Sequence, residues 1–537
     1  MEMKKCTHYH PPCKMPISRQ VLFWALILGC VFAGSAAWAH SDSEHGGPET
    51  PKQIETHHGD QVVSGAGRLT LGETVYKHMC IFCHGVDGNG GGKATAYLYP
   101  WPRDFRKGIF KHRTTPPGSL PLDKDIFRTI QKGVPGTAMP GWKNALSEEE
   151  TWSVVEYVKG FSERFENEIP RPAIKPGPVP PAMPESITTG EKLYKELRCH
   201  GCHGTDLKGE GPQAEELYDI WDHRVFVYDL TNPNAYKFGY EPTDIYMTLT
   251  TGIDGTPMKN YSHLTDKERW DLTAFLLSKL EIDRIRESGY EIDLNATKVE
   301  DEFVLDPYHE LWDKIPEKAV RLLPLNARKS HVSHIKIRSA INDDAVAFRL
   351  EWEDPTPDRS SSRHQDFKDA IAMEFALGDV LLHKHGHNEP FFGMGQRGKV
   401  VNIWQWRADW QTEIETKEKL EYATKGMDLD AMIFGGEVNP VDALNPFRDV
   451  PVEEMNAEGF GTLTPQPQTK QNILGKGTWK DGRWSVVFYR TLDSLNKWDK
   501  KFSNDQPILV AFAIWDGSQQ DRNGRKVVSM WQRLHLP

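Results

Sequence analysis

The chain has 537 residues, 38% of them hydrophobic and 10% aromatic, with 76 acidic against 65 basic side chains and a formal net charge of −11. That length allows about three domains of ordinary size, and so apolar a composition builds packed cores rather than a disordered coil. The acidic balance, with no long basic block, excludes nucleic acid as a partner.

At the N-terminus, Lys4, Lys5, Lys14 and Arg19 precede the apolar run VLFWALILGCVFAGSAAWA, which closes on the small-x-small pattern Ala37-Trp38-Ala39. This is the layout of an export signal. Residues 1–39 are therefore predicted to be a signal peptide, and the protein periplasmic or otherwise extracytoplasmic, soluble or peripherally attached to a membrane. Two rivals stay open: an uncleaved anchor, since about 19 apolar residues just span a bilayer, and acylation at Cys30. No later stretch is long and apolar enough to span.

An internal repeat follows. Cys80-Ile-Phe-Cys83-His84 recurs as Cys199-His200-Gly201-Cys202-His203, an offset of 119 that also carries Asp125 onto Asp244, Gly133 onto Gly252, Gly136-Thr137 onto Gly255-Thr256 and Met139 onto Met258. Trp152 meets Trp270 at 118. Each copy opens with a helical segment carrying the cysteine pair and closes with another, SEEETWSVVEYVKGF or TDKERWDLTAFLLSKL, for which Ser147 and Thr265 are the expected N-caps. Two small all-α domains are predicted, at 66–165 and 186–285. Between them, residues 166–185 include the run IPRPAIKPGPVPPAMPE, whose prolines predict a semi-rigid extended linker.

Beyond about residue 300 the hydrophobic period changes from about 3.6 to about 2. The runs HVSHIKIRS, AVAFRLEW, AIAMEFAL, VVNIWQWR, RWSVVFYR, ILVAFAIW and VVSMWQRL are short, β-branched or aromatic, and bounded by turn residues. They predict an all-β antiparallel sandwich over 300–537. The polar stretch between Trp410 and Gly475 reads as an elaborated loop.

Of the seven cysteines, Cys6, Cys13 and Cys30 lie in the first 30 residues and the other four form the two pairs, so none remains for a structural disulfide. Cys-x-x-Cys-His is the attachment sequence of c-type haem. Two thiols one helical turn apart reach both vinyl groups, and the adjacent histidine faces the iron. Zinc binding and a redox dithiol are the alternatives. Two matches that consume every cysteine beyond the leader, each followed 55 residues after its histidine by a methionine, favour haem. Met139 and Met258 are the expected sixth ligands, giving closed sites that pass electrons. The competing reading makes them core filler; the duplication argues against it, because Met79, Met183 and Met247 have no counterpart at the offset whereas these two correspond. His112, His223 and His263 are alternative ligands.

On these residues both repeats resemble class I cytochrome c domains, with Pro102-Arg103-Asp104-Phe105 and Tyr236-Lys237-Phe238-Gly239 similar to elements of exported dihaem cytochromes. The second copy departs from the usual Met-Pro by having Lys259 after Met258. Composition alone would let the sandwich be a carbohydrate-binding or adhesion module. However, Gly393-Met394-Gly395, Val401 to Trp406, Trp484 to Arg490, Ala511 to Gly517 and Lys526 to Trp531 together resemble the haem-b subunit family of ethylbenzene dehydrogenase. That family also serves dimethylsulfide dehydrogenase, chlorate and selenate reductases and some nitrite oxidoreductases.

The resemblance implies one non-covalent haem b with a methionine and a lysine as axial ligands, here Met394 and Lys526, with His383, His385 and His387 as competitors. It also implies partners: the iron-sulfur and molybdopterin subunits of an oxidoreductase on one side and a respiratory carrier on the other. The expected function is a non-catalytic relay with two haem c and one haem b. A dihaem peroxidase, and a dihaem cytochrome tethered to a carbohydrate-binding sandwich, are the alternatives.

Overall fold

The computed structural model describes residues 65–143, 145–281, 293–328, 330–360, 365–378, 389–416, 450–503 and 506–537. The predicted signal peptide and His383, His385 and His387 lie outside them.

In the first repeat, α1 (Gly65–Val75) runs through a π-helical turn at Tyr76–Cys80 into α2 (Ile81–His84), followed by α3 (Asp123–Lys132), α4 (Glu148–Lys159) and the short α5 (Arg164–Asn167). The second repeats the plan with α6 (Pro184–Glu196), α7 (His200–His203), α8 (Pro242–Thr251) and α9 (Asp266–Ser278). Ser147 and Thr265 are N-caps in full capping boxes with Glu150 and Glu268. The helices that open and close each repeat cross at a glycine. A Cβ on Gly72 would lie 2.0 Å from the Ser153 carbonyl oxygen, and one on Gly190 2.0 Å from that of Asp271. The change of offset from 118 to 119 falls between Tyr194 and Cys199, where Arg198 adopts a left-handed backbone (φ 59°) and absorbs the extra residue.

From Glu168 to Met183 the chain is irregular and extended. It runs along the first repeat, with Ile174 N donating to Thr114 O (2.8 Å) and Arg171 N to Ser119 Oγ (3.0 Å).

The remainder is two packed sheets. Its strands are β1 (Asp293–Asn295), β2 (Thr297–Lys298), β3 (Lys318–Arg321), β4 (Leu323–Pro324), β5 (His334–Ile341), β6 (Ala345–Glu353), β7 (Ala370–Ala376) and β8 (Val401–Arg407). After α10 (Ala408–Thr416) come β9 (Val452–Ala457), β10 (Thr464–Pro465), β11 (Ile473–Lys480), β12 (Arg483–Thr491), β13 (Ile508–Trp515), β14 (Val527–Val528) and β15 (Gln532–His535). One sheet runs β1-β15-β13-β7-β8-β9-β10 with β14 and β4 beside β13; the other runs β11-β12-β6-β5-β2 with β3 beside β5. Pairing is antiparallel except at the edges, where β1 joins β15 and β2 joins β5 in parallel.

Each of the seven predicted runs contains a strand, the last one split into β14 and β15. The loop expected between Trp410 and Gly475 is corrected at both flanks: α10 continues from β8, β9 pairs with β8, and β11 begins at Ile473. Residues 417–449 lie outside the described part.

Strand alternation gives the larger sheet two different faces. Ile371, Met373, Phe375, Trp404, Trp406, Val510, Phe512 and Ile514 point inward and fill the core between the sheets with Phe348, Trp352 and Phe488. The outward positions of the same strands include the small Ala372, Ala376, Ala511 and Ala513, with Leu509, Trp515, Val401, Ile403 and Met455 around them.

Candidate cofactor sites

The two c-type sites are built alike. Tyr76 Oη donates to Gly85 O (2.8 Å) and Tyr194 Oη to Gly204 O (2.7 Å), fastening the turn that follows each histidine. Cys80, Cys83, Cys199 and Cys202 are all free thiols. Burial lowers His84 and His203 to about 4, so both imidazoles are neutral, the form that gives a lone pair to a metal.

The methionine loops also superpose bond for bond. Val134 N donates to Met139 O (3.0 Å) and Met139 N to Thr137 Oγ1 (3.2 Å); Ile253 N donates to Met258 O (3.1 Å) and Met258 N to Thr256 Oγ1 (3.2 Å). Met139 and Met258 each pack at the edge of their own domain's core. Met247 instead is buried within α8. The sites differ behind the histidine: His84 Nδ1 donates to Arg103 O (3.1 Å) and its ring stacks on Phe105, whereas Nδ1 of His203 is buried without a partner among the described residues.

The two repeats meet through the segments flagged in sequence. The Arg103 guanidinium lies 4.1 Å from the Trp221 ring, His112 stacks on Phe238, and Lys237 Nζ donates to Pro135 O (2.6 Å). Arg128 pairs with Asp244 (2.7 Å) and the fully buried Arg113 with Asp254 (2.9 Å). Burial pulls Lys111 and Lys237 below the ordinary lysine range, Lys111 with help from Arg103 and Lys237 with help from Arg321 and Lys111. Such gathered interior cations suit the carboxylates of a haem. His112 and His223 are engaged here with Phe238 and Trp101, and His263 lies near Tyr261.

In the sandwich, Met394 and Lys526 come together over the alanine face. Met394 itself has a left-handed backbone (φ 75°), as does Gly395 (φ 72°), a conformation costly for a methionine and held by Gly395 N to Phe391 O (2.9 Å) and Gly459 N to Met394 O (2.8 Å). Lys526 Nζ lies 4.6 Å from the Trp515 ring. Between the two sits Glu374, the one charged residue on the outward face of β7. Its Oε2 accepts from Met394 N (3.3 Å), its Oε1 has no hydrogen-bond partner among the described residues, and it interacts electrostatically with Lys526. Burial pushes the Glu374 carboxyl up and the Lys526 ammonium down, favouring the neutral amine that could ligate a metal. A flat, small-residue floor beside a thioether and an amine fits a planar iron cofactor.

Over this floor lies the first repeat. Phe82, between Cys80 and Cys83, stacks on Phe391 (centroids 4.4 Å, planes 22° apart), and Tyr97 stacks on Phe460 (5.0 Å). Tyr99 N donates to Leu325 O (2.8 Å), while Phe392 and Met530 pack against the core of the first repeat.

Family models agree with this division: cytochrome C oxidase, cbb3-type, subunit III matches residues 67–158, cytochrome c matches 187–279, and ethylbenzene dehydrogenase matches 309–527. The chain is two cytochrome c domains joined to an ethylbenzene dehydrogenase domain. It is 29% identical over 253 residues to the ORF7 protein of Haloferax mediterranei, named for the heme subunit of a respiratory nitrate reductase, covering 46% of this chain and 72% of that one. Chlorate reductase subunit gamma of Ideonella dechloratans is 28% identical (43% and 79% covered), and dimethylsulfide dehydrogenase subunit gamma of Rhodovulum sulfidophilum 26% (42% and 72%).

Two solved structures are also similar. A chain of the Kuenenia stuttgartiensis reducing HAO-like protein complex Kustc0457/Kustc0458 is 42% identical over 39% of this chain and 96% of its own, with a TM-score of 0.39. A family 9 carbohydrate binding module from Caldicellulosiruptor kristjanssonii in complex with glucose is 10% identical over 46% and 95%, with a TM-score of 0.25. Among the described residues no helix is long and apolar enough to cross a membrane.

Residues that sequence reasoning missed are Glu374, whose signal was a lone acid among the alanines of β7, and Phe82 with Phe391, which carry no pattern visible in one dimension.

Proposed function

We propose that this chain is the exported haem subunit of a molybdenum oxidoreductase, relaying electrons between that enzyme's iron-sulfur subunit and a respiratory carrier. Cys80, Cys83, Cys199 and Cys202 would hold two haems through thioethers, with His84 and Met139, and His203 and Met258, as axial ligands. Met394 and Lys526 would hold a haem b on the alanine floor. Bound haem supplies a one-electron carrier at each of the three sites; the chain's own residues fix their order and keep water out.

The observation that carries this reading is the stacking of Phe82 on Phe391. A residue from the first c-type attachment loop touches the loop that leads to Met394, three residues on. That contact supports the order b site, first c site, second c site, with the second c domain reached through Trp221 and Phe238. The alternating faces of β7 and β13 support a cofactor role for the sandwich over carbohydrate binding, since the outward floor is built of alanines around the single acid Glu374 and is covered by another domain. Export is supported by the N-terminal signal pattern, and the partner by the names of the three relatives.

The test is a reduced pyridine haemochrome spectrum of the purified full chain after incubation with haemin, together with the proteins that co-purify at native expression levels. A c-to-b ratio near 2:1 and co-purifying molybdopterin and iron-sulfur subunits are expected. A spectrum with haem c alone that haemin leaves unchanged would overturn the three-site reading.

A further inference from the structure

Away from these sites, three aspartates meet at three strand ends. Asp354 follows β6, Asp369 precedes β7 and Asp516 follows β13, so one comes from the smaller sheet and two from the larger. A ligand oxygen from each lies within 4.8 Å of the others, and the residues are 0%, 0% and 8% exposed.

Their hydrogen bonds come from donors that favour ionised carboxylates. Asp369 accepts from Gly517 N (2.8 Å), Asp358 N (2.7 Å) and Trp484 Nε1 (2.9 Å); Asp516 Oδ1 accepts from Ser518 Oγ (2.6 Å); Asp354 Oδ1 accepts from Thr356 N (3.1 Å). Asp354 Oδ2 is buried with no hydrogen-bond donor among the described residues, and what the Asp354 carboxyl faces is the Asp369 carboxyl. An orphaned buried acceptor costs about 1–3 kcal/mol, and more when charged. Among the described residues no lysine or arginine pairs with any of the three. The contrast is local, because Asp521, five residues beyond Asp516, is equally buried and has Arg328 at 2.7 Å.

Only two species can relieve such a cluster, a proton shared between carboxylates or a cation. Burial and mutual repulsion hold Asp354 and Asp369 well above the ordinary carboxylate range in the cation-free state, so the proton is the rival. Against it, the three donors already on Asp369 favour its ionised form, and a single proton would leave two negative charges in the interior. An all-oxygen ligand set selects a hard cation. Three crowded carboxylates of irregular geometry suit calcium, which takes six to eight oxygens flexibly, better than magnesium, which demands an octahedron and keeps its water.

We infer that Asp354, Asp369 and Asp516 bind a calcium ion that clamps the two sheets together. Its position ties it to the b site without belonging to it. Asp516 directly follows Trp515, whose ring lies under Lys526, and begins the turn that leads to that lysine.

The experiment uses the full haem-loaded chain. After gel filtration in metal-depleted buffer, elemental analysis is expected to find about one calcium per chain. Chelator should lower the melting temperature by several degrees, calcium should restore it, and equimolar magnesium should not. Asp354→Asn should lose the calcium and the response to chelator. The wild-type chelator arm stands even if that variant fails to fold.

No calcium, with a melting temperature indifferent to added calcium, would overturn the inference. So would full restoration by magnesium. A calcium-indifferent stability that falls as pH rises above the ordinary carboxylate range would assign the cluster to a shared proton instead, because a group with a raised folded pKa stabilises only while protonated. Neither result would touch the relay reading, which rests on haem content.

Discussion

Phe391→Ala tests the contact on which the proposed order of sites depends. The ring is 8% exposed, lies 4.4 Å from Phe82, 4.7 Å from Phe392 and 5.9 Å from Phe460, and shares a cluster with Ala94 and Leu98 of the first cytochrome c domain. Truncating a buried phenylalanine costs about 3–5 kcal/mol. Part of that burial is against Phe82, Ala94 and Leu98 of the other domain, and a loss of about 2 kcal/mol in docking would be on the order of a thirtyfold shift in the opening equilibrium.

Hydrogen exchange reads that shift directly. The Tyr99 amide is held by Leu325 O at 2.8 Å, and its exchange should accelerate by about thirtyfold, while amides in the core of α4 do not change. In the same variant, electron equilibration between haem b and the first c haem after flash reduction should slow. Trp221→Ala, at the other junction, should leave it alone. If Tyr99 exchange changes less than twofold while the sandwich loses the expected stability, Phe391 supports only its own domain. If Trp221→Ala alone slows equilibration with haem b, the second c domain is the neighbour of the b site.

Met139→Ala and Met258→Ala should each abolish one of two methionine-to-iron charge-transfer bands in the oxidised protein; a wild type lacking the band, or a band lost on changing Met247, would refute the ligand assignment. Met394→Ala should lose or loosen haem b, and Lys526→Ala should alter its low-spin spectrum. An unchanged b spectrum in Lys526→Ala, with loss in His385→Ala, would move the role to histidine. Because burial holds the folded-state pKa of Lys526 below its unfolded value, the charged form opposes folding, so stability without haem b should rise as pH climbs from the depressed value toward the ordinary lysine range; a flat pH profile in thermal melts would count against that burial. Gly190→Ala forces a Cβ to 2.0 Å from Asp271 O and should cost about 1–3 kcal/mol by urea unfolding, with no comparable loss for Gly177→Ala, where nothing lies within 4 Å.

What the sequence disclosed follows from the range of the interactions concerned. Thioether attachment needs two cysteines and a histidine within five residues, and the methionine loop closes on its own threonine and glycines, so both were legible as local spacing. The β7 and β13 runs were legible because one face is bulky throughout. Strand β9, VEEMNA, was not, because its polarity suggests a loop. Glu454 is in fact fully buried, bonded to Asn402 (2.9 Å) and Trp404 (3.2 Å) and paired with Arg490 (3.4 Å), three partners from two other strands. Glu374 escaped notice for the same reason: an acid on an alternating strand reads as solvated until another domain is placed over it.

The two faces of the larger sheet also set an order of assembly. The inward face closes a core of tryptophans, phenylalanines and branched chains that is complete on its own, so the sandwich can fold before anything occupies the alanine shelf. Beside the shelf, Phe391 is stacked by Phe82, a residue flanked by the cysteines whose modification would mature the first cytochrome c domain. If the b site takes haem as proposed, its loading would have a window, open after the sandwich folds and closing once the matured neighbour docks. A chain with Cys80 and Cys83 replaced by serine would keep that window ajar, taking up and releasing haem b faster than the wild type.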